Sequence, residues 1–254
     1  MATALITGAS AGLGLEFAWQ LATARHDLVL VARDEERLEQ VANQIRAAAG
    51  VRVQVLPADL SVPDDVARVA ARLASAGSED ERPVGLLVNN AGFATHQHLV
   101  GGDVELEVRA LDVMVRAVLV LSHAAAGQMT ARGRGAILNV ASVAALTAGG
   151  TYAAAKAWVR TFTEGLAVEL AGTGVSATVL CPGFTHTEFH DRAGLDMTGL
   201  PDVAWLDADR VVATALADVR RGVVISTPST RYRLASAALR AMPRSAVRAI
   251  GKYR

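Results

Sequence analysis

Tyr152 and Lys156 stand four residues apart in Tyr152-Ala-Ala-Ala-Lys156, a spacing that sets both side chains on one face of a helix. A free phenol titrates near pH ~10, too high for ready proton exchange at neutrality. A neighbouring ammonium favours the phenolate, which is how a tyrosine becomes an acid and base. The only lysines in the chain are Lys156 and Lys252, and asparagine occurs only at 43, 89, 90 and 139. Against that background a lysine at this spacing and a pair of adjacent asparagines carry weight.

A second constellation is Thr7-Gly-Ala-Ser-Ala-Gly-Leu-Gly14. Gly8, Gly12 and Gly14 would let the backbone of a strand-to-helix turn approach a pyrophosphate, with the helix N-terminus supplying free amides and a favourable dipole. A nucleoside-triphosphate loop needs lysine and a hydroxyl residue after its last glycine, where Leu15 and Glu16 stand here. Taken alone, the glycine trio is equally a tight structural turn. His96, His98, His186 and His190 form His-x-His and His-x-x-x-His pairs, a set able to chelate zinc. No cysteine or carboxylate completes a recognisable spacing, so a polar rim to a substrate mouth is expected, and no metal.

These residues need a scaffold, and short β-rich runs alternate with helical segments from the start of the chain. Strands are expected at Ala2 to Thr7, Asp27 to Ala32, Val51 to Leu56, Val84 to Val88, Ala136 to Ala141, Val175 to Leu180 and Gly222 to Ser226. Helical stretches fall between them, one of them long, from Asp103 to Ala131. The alternation predicts an α/β, Rossmann-like, doubly wound parallel sheet of about seven strands with helices on both faces. A stretch from Pro182 to about Asp207 breaks the rhythm, as binding loops do.

Lysine plus arginine equals aspartate plus glutamate at 25 each, which gives no overall field for nucleic acid. One cysteine, Cys181, excludes an internal disulfide and favours a reducing compartment, so a cytoplasmic location is expected. No secretory signal is visible, and the most apolar run, around Leu111 to Leu121, is interrupted by Asp112 and Arg116 and is read as too short to span a bilayer.

The glycine turn, Asn89-Asn-Ala-Gly92 after the fourth strand, Ser142 after the fifth and the Tyr152/Lys156 pair together resemble the short-chain dehydrogenase/reductase family, in its smaller single-domain branch. The resemblance covers residues 1 to about 228. It implies an enzyme interconverting a carbonyl and an alcohol with a nicotinamide cofactor. Tyr152 would exchange a proton at the substrate oxygen, Ser142 would hydrogen-bond that oxygen, and Lys156 would tune Tyr152 and bind the nicotinamide ribose. The cofactor would lie along Gly8, Ser10, Gly12, Leu13 and Gly14, with Asp59 and Leu60 beside adenine. Asn89, Ala91 and Gly92 would follow the riboses, and Pro182, Gly183, Thr185 and Thr187 would meet the carboxamide.

Two departures stand out. The interval from Ser142 to Tyr152 is ten residues, a few shorter than usual in the family, so a tighter loop is expected. Met114 occupies a position where the family usually has an asparagine in a proton relay; the useful group there is largely a backbone carbonyl, which methionine also has. The competing class is a catalytically weak cofactor-binding sensor or scaffold of the same fold.

The second strand ends at Ala32 followed by Arg33, with no acidic residue for a ribose hydroxyl. Arg33 with Ser10 suits the 2′-phosphate of NADP, while Asp34 is either a helix N-cap or contrary evidence. Phe184, Phe189, Leu195, Met197, Leu200 and Trp205 in the loop hint at an apolar substrate or are the loop's own small core. Small-residue helices at Leu111 to Ala131 and Ala153 to Ala171 predict a homodimer or homotetramer. After Asp218 come nine basic residues and no acidic one, leaving 16 basic against 25 acidic up to and including Asp218. Residues 1–228 thus read as the catalytic domain, with a substrate loop near 183–207. Residues 229–254 read as a basic amphipathic extension whose face of Leu234, Ala238, Leu239 and Met242 either packs on the protein or lies in an anionic membrane interface.

Overall fold

The first apolar run, Thr3–Thr7, is buried at every residue and becomes β1, an interior strand of a parallel sheet. The computed structural model describes residues 2–78, 81–188 and 201–251. Around β1 lie β2 (Asp27–Ala32), β3 (Val53–Pro57), β4 (Val84–Asn89), β5 (Gly135–Val140), β6 (Val175–Leu180) and β7 (Ile225–Ser226). They form one seven-stranded sheet in the order β3-β2-β1-β4-β5-β6-β7, every pair parallel. The order reverses direction between β1 and β4, and in such sheets ligands bind beyond the strand ends at that switch.

Alternation along the strands feeds two cores. Ala4 and Ile6 of β1 point to the side covered by α1 (Gly12–Thr23), α2 (Glu35–Ala49) and α7 (Ala208–Arg220), where Phe17, Leu38, Ile45 and Val212 are fully enclosed. Leu5 points to the other side, with Val69 and Leu73 of α3 (Pro63–Ala74) and Leu121 and Met129 of α5 (Ala117–Ala131). This is the doubly wound, Rossmann-like arrangement expected of strands that are apolar on both faces.

The structure shifts some boundaries. β3 begins at Val53 rather than Val51, because Gly50 closes α2 in a left-handed turn and Arg52 donates its backbone N–H to Asp27 at 3.1 Å. β7 is confined to two residues, because Gly222 has φ +68° and Val223 donates back to Asp218. The expected long helix is interrupted: α4 (Val104–Leu111) and α5 are joined by a π turn, Asp112–Arg116, in which Ala117 N–H reaches back to Asp112. Helix, π turn and helix make a run from Val104 to Ala131 of 28 residues with mean hydropathy 1.5 in its most apolar part. That corrects the expectation that no stretch is long enough to cross a membrane; this run lies against α3, β4 and β5 as a layer of the protein.

The C-terminal extension forms α8 (Thr230–Ala241) and α9 (Arg244–Gly251). Its docked residues are Ser236 and Val247 together with the half-buried Tyr232, whereas Leu234 is 73% exposed. The face expected from apolar periodicity docks only in part: Leu239 and Met242 are half-buried, whereas Leu234 and Ala238 stay in solvent, with polar bonds from Arg231 and Tyr232 to backbone carbonyls holding the first turn of α8. Phe189, His190, Leu195, Met197, Leu200, Lys252 and Arg254 lie outside the described residues.

Candidate active site

The glycine turn follows β1 directly. Gly8 and Gly12 have φ +67° and +54°, which side chains rarely adopt. A Cβ on Gly14 would stand 2.1 Å from the Gly8 carbonyl oxygen, so the helix can start this close to the turn only with glycine there. Among the described residues no side chain caps α1, which leaves its first amides to a ligand. This open cradle of N–H groups fits a pyrophosphate. Thr187 borders it, its Cβ 3.4 Å from where a Gly12 side chain would begin.

The turn is tied to β4 by two residues to which the sequence assigned no role. Thr7 Oγ1 accepts the N–H groups of Asn90 and Ala91, both at 3.0 Å, and the Asn90 amide donates to Thr7 and Gly8 carbonyls at 3.0 and 3.3 Å. Asn89, by contrast, turns its amide into a buried network, donating to Ser122 and Asn139 at 3.1 and 2.9 Å. Any ribose contact of Asn89 is therefore left to its backbone.

Ser142 follows β5, caps a 3₁₀ turn at Val143–Leu146 through Ala144 N–H, and is hydrogen-bonded to the Tyr152 hydroxyl. The short interval is bridged by this turn and by an early start of α6 (Gly150–Glu169), whose first residue has φ +72°. Lys156 lies on the same face, buried, its ammonium donating to the Val140 carbonyl at 2.8 Å and 5.7 Å from the Tyr152 ring centre. Burial pushes the phenol up to about 12 despite the Ser142 hydrogen bond, and brings the amine down to about 8. The phenol therefore lies above its ordinary value rather than below it, because desolvation outweighs the Ser142 hydrogen bond, while the Lys156 ammonium is directed at the Val140 carbonyl.

Met114 is carried inward by the π turn. A side chain on Gly92 would meet Met114 Cγ at 3.3 Å and Lys156 Nζ at 3.4 Å, so glycine, thioether and amine share one point. Phe93, Ala110, Leu111 and Met114 form a largely apolar patch beside Tyr152. On its rim Glu107 is buried and accepts hydrogen bonds from Thr95 and Thr151 at 2.6 Å each and from Gln97 at 3.1 Å. Burial alone would raise its pKa, but these three donors bring it below the usual value. Glu107 thereby braces the residue next to Tyr152.

A profile of the short chain dehydrogenase family matches residues 2–197. The chain belongs to that family. It is 32% identical over 213 residues to a galactitol 2-dehydrogenase (L-tagatose-forming) of Cereibacter sphaeroides, covering 81% of this chain and 79% of the relative. Among solved structures it is similar to a short-chain dehydrogenase from Sphingobium yanoikuyae in complex with NADPH, with TM-score 0.84, 36% identity and coverage of 95% and 94%. It is also similar to a bulky-bulky ketone specific alcohol dehydrogenase from Comamonas testosteroni, with TM-score 0.80, 30% identity and coverage of 95% and 93%. The protein is thus a short-chain dehydrogenase/reductase, an oxidoreductase acting on small-molecule carbonyls or alcohols with a nicotinamide cofactor.

In this short-chain dehydrogenase the remaining expected cofactor residues are dispersed. Arg33 is exposed past β2, and Asp34 caps α2, accepting Arg37 N–H at 3.0 Å. Asp59 accepts Ser61 N–H and Oγ at 2.9 and 2.7 Å; burial opposes ionisation, but those bonds, Arg33 and Arg109 hold its pKa down. Leu60 is buried in the second core, and Ser10 and Leu13 are half-buried on the glycine turn. Pro182 accepts Val143 N–H at 3.0 Å, and Thr185 Oγ1 donates to Gly183 at 3.1 Å. His186 stacks on Trp205 at 4.5 Å between ring centres. Among the described residues no three His, Cys, Asp or Glu side chains converge as metal ligands. Glu107 and Tyr232 had no sequence signal beyond their types, since Thr151 and Phe184, which they hold, lie far away in the chain, whereas Asn90 stood in the quoted asparagine motif without a role of its own.

Proposed function

We propose that the enzyme is an NADP-dependent carbonyl reductase and alcohol dehydrogenase with Tyr152, Ser142 and Lys156 as its catalytic residues. The observation that carries this reading is the meeting of Ser142, Tyr152 and Lys156 beside Gly92 at the ends of β4 and β5. When bound, the cofactor supplies or accepts the hydride. Gly8, Ser10, Gly12, Leu13 and Gly14 would hold its phosphates, and Asp59, Leu60, Asn89, Ala91, Gly92, Pro182, Gly183, Thr185 and Thr187 would line it. Ser142 donates to the substrate oxygen, Tyr152 gives it a proton in reduction and takes one in oxidation, and Lys156 steadies the phenolate left behind. The apolar side chains of Phe93, Ala110 and Met114 around Tyr152 support an apolar carbonyl. A panel of ketones and aldehydes with NADPH tests the reading, and absence of turnover throughout would return the protein to the sensor or scaffold class, which the dehydrogenases among its relatives do not favour.

Preference for NADP over NAD rests on Arg33, left exposed because Asp34 is engaged as a cap. A charge-assisted bond to a phosphate is worth about 1.5–3 kcal/mol. Arg33→Ala is therefore expected to weaken NADPH binding about ten- to a hundredfold and leave NADH binding unchanged. Titration of both cofactors checks this; an unaltered ratio refutes the assignment.

Assembly as a homodimer or homotetramer is supported by apolar side chains left in solvent on α4 to α6, including Val104, Leu111, Leu119 and Val168. Val168→Asp is expected to shift the species seen by light scattering to monomer. A native protein that is already monomeric at micromolar concentration contradicts it. We assign residues 1–228 as the catalytic unit and 229–254 as an extension whose described part docks on it. The alternative of an anionic membrane contact keeps Leu234, Arg233 and Arg240 as its exposed face, whereas the docked Tyr232, Ser236 and Val247 support an intramolecular role. A buried free cysteine is in keeping with the cytoplasm.

A further inference from the structure

The extension reaches the end of β6, where the expected substrate loop departs. Tyr232, in the first turn of α8, lays its ring on Gly183 so closely that a side chain there would stand 2.1 Å from ring carbon Cζ. Its hydroxyl accepts Phe184 N–H at 3.2 Å and donates to the Ala204 carbonyl at 2.7 Å. One phenol thus joins backbone groups at both described ends of the loop. The neighbouring Arg231 donates to Val203, and Arg244 at the start of α9 donates to Leu146, at 3.4 Å, in the turn that follows Ser142. Beside this bridge Thr185 pairs with Leu206, with Leu206 N–H donating to Phe184 at 2.8 Å and His186 N–H to Leu206 at 3.0 Å.

We propose that Tyr232 is a positioning residue that sets the substrate side of the active site from the C-terminal extension. Its ring shields the Gly183 backbone and its hydroxyl holds Phe184 to Ala204, so Pro182 and Gly183 are placed by α8 as well as by β6. Glycine at 183 is required by the ring itself, which occupies the space of a side chain. The kinetic part of this inference rests on the proposed carbonyl reduction; the structural part does not.

Tyr232→Phe keeps the ring and removes both hydrogen bonds, which tests the bridge in the full-length protein. Hydrogen exchange without ligand is expected to quicken about tenfold in peptides covering 183–188 and 201–206, with β1 and β4 unchanged. With a ketone that the native enzyme reduces, KM is expected to rise about tenfold while kcat stays within about twofold. Leu234→Ser, on the exposed side of α8, serves as the control and is expected to alter neither. Unchanged exchange at 183–188 overturns the proposal, as does a uniform rise across the sheet, which would give Tyr232 a merely structural role. A fall in kcat at constant KM overturns the positioning role. If the native enzyme reduces no ketone, carbonyl reduction fails as the function, and the exchange measurement still decides the role of Tyr232.

Discussion

Replacing Tyr152 with phenylalanine is expected to lower turnover about 10²- to 10⁴-fold, the range for loss of a positioned acid or base, with cofactor affinity nearly unchanged. The ring stays in its place against Phe93 and Met114, so the loss reports the hydroxyl alone. Because burial raises this phenol to about 12, Tyr152 holds its proton across neutral pH. Reduction, which consumes that proton, is therefore supplied with acid near neutrality, whereas oxidation, which needs the phenolate, gains with rising pH. Steady-state rates in both directions, with cofactor binding measured separately, check the prediction. Near-native turnover in Tyr152→Phe would move the acid to another residue.

Lys156→Arg is expected to reduce turnover about a hundredfold although charge is conserved. The amine sits 2.8 Å from the Val140 carbonyl, with Met114 and Gly92 closing around it, and a planar guanidinium does not fit that space. Lys156 titrates near 8, lowered by burial against an opposing effect of Cys181. Below about pH 8 the ammonium is present to stabilise the phenolate formed in reduction; above it the group is neutral and the reductive rate declines. Arginine stays charged throughout, so the variant is expected to lack that decline. A residual pH profile identical to the native one would assign the titration elsewhere.

The two substitutions act on a pair whose relation was legible before any fold was known. A separation of four residues on a helix places side chains together, and Tyr152 and Lys156 do meet on α6. The glycine turn was legible for the same reason, because strand, turn and helix are contiguous and the backbone demands of Gly8, Gly12 and Gly14 arise within one short segment. The direction of the phenol's shift was not legible. A sequence states that an ammonium is near but not how much solvent both groups lose, and here desolvation prevails.

Other features depended on distant partners. The Asn89 and Asn90 pair reads as a single motif, yet one amide supports β1 and the other enters a network with Asn139, which itself donates to Thr163 at 2.9 Å. Adjacent residues on a strand face opposite sides, so which serves the site depends on what covers each face. Apolar periodicity in the extension favoured Leu234, but α8 is held by polar bonds to Val203 and Ala204 and leaves Leu234 in solvent.

By itself the sequence determined the doubly wound class, the glycine turn and the Tyr152/Lys156 pair, because each follows from periodicity or from contacts within a few residues. Only the tertiary structure decided how Glu107 braces Thr151 across 44 positions and how Tyr232 closes on Phe184 across 48. It also decided how Met114 fills the space at Gly92. Contacts of that separation depend on strand order and helix rotation, which are set by burying two sheet faces at once and leave no local pattern in the chain.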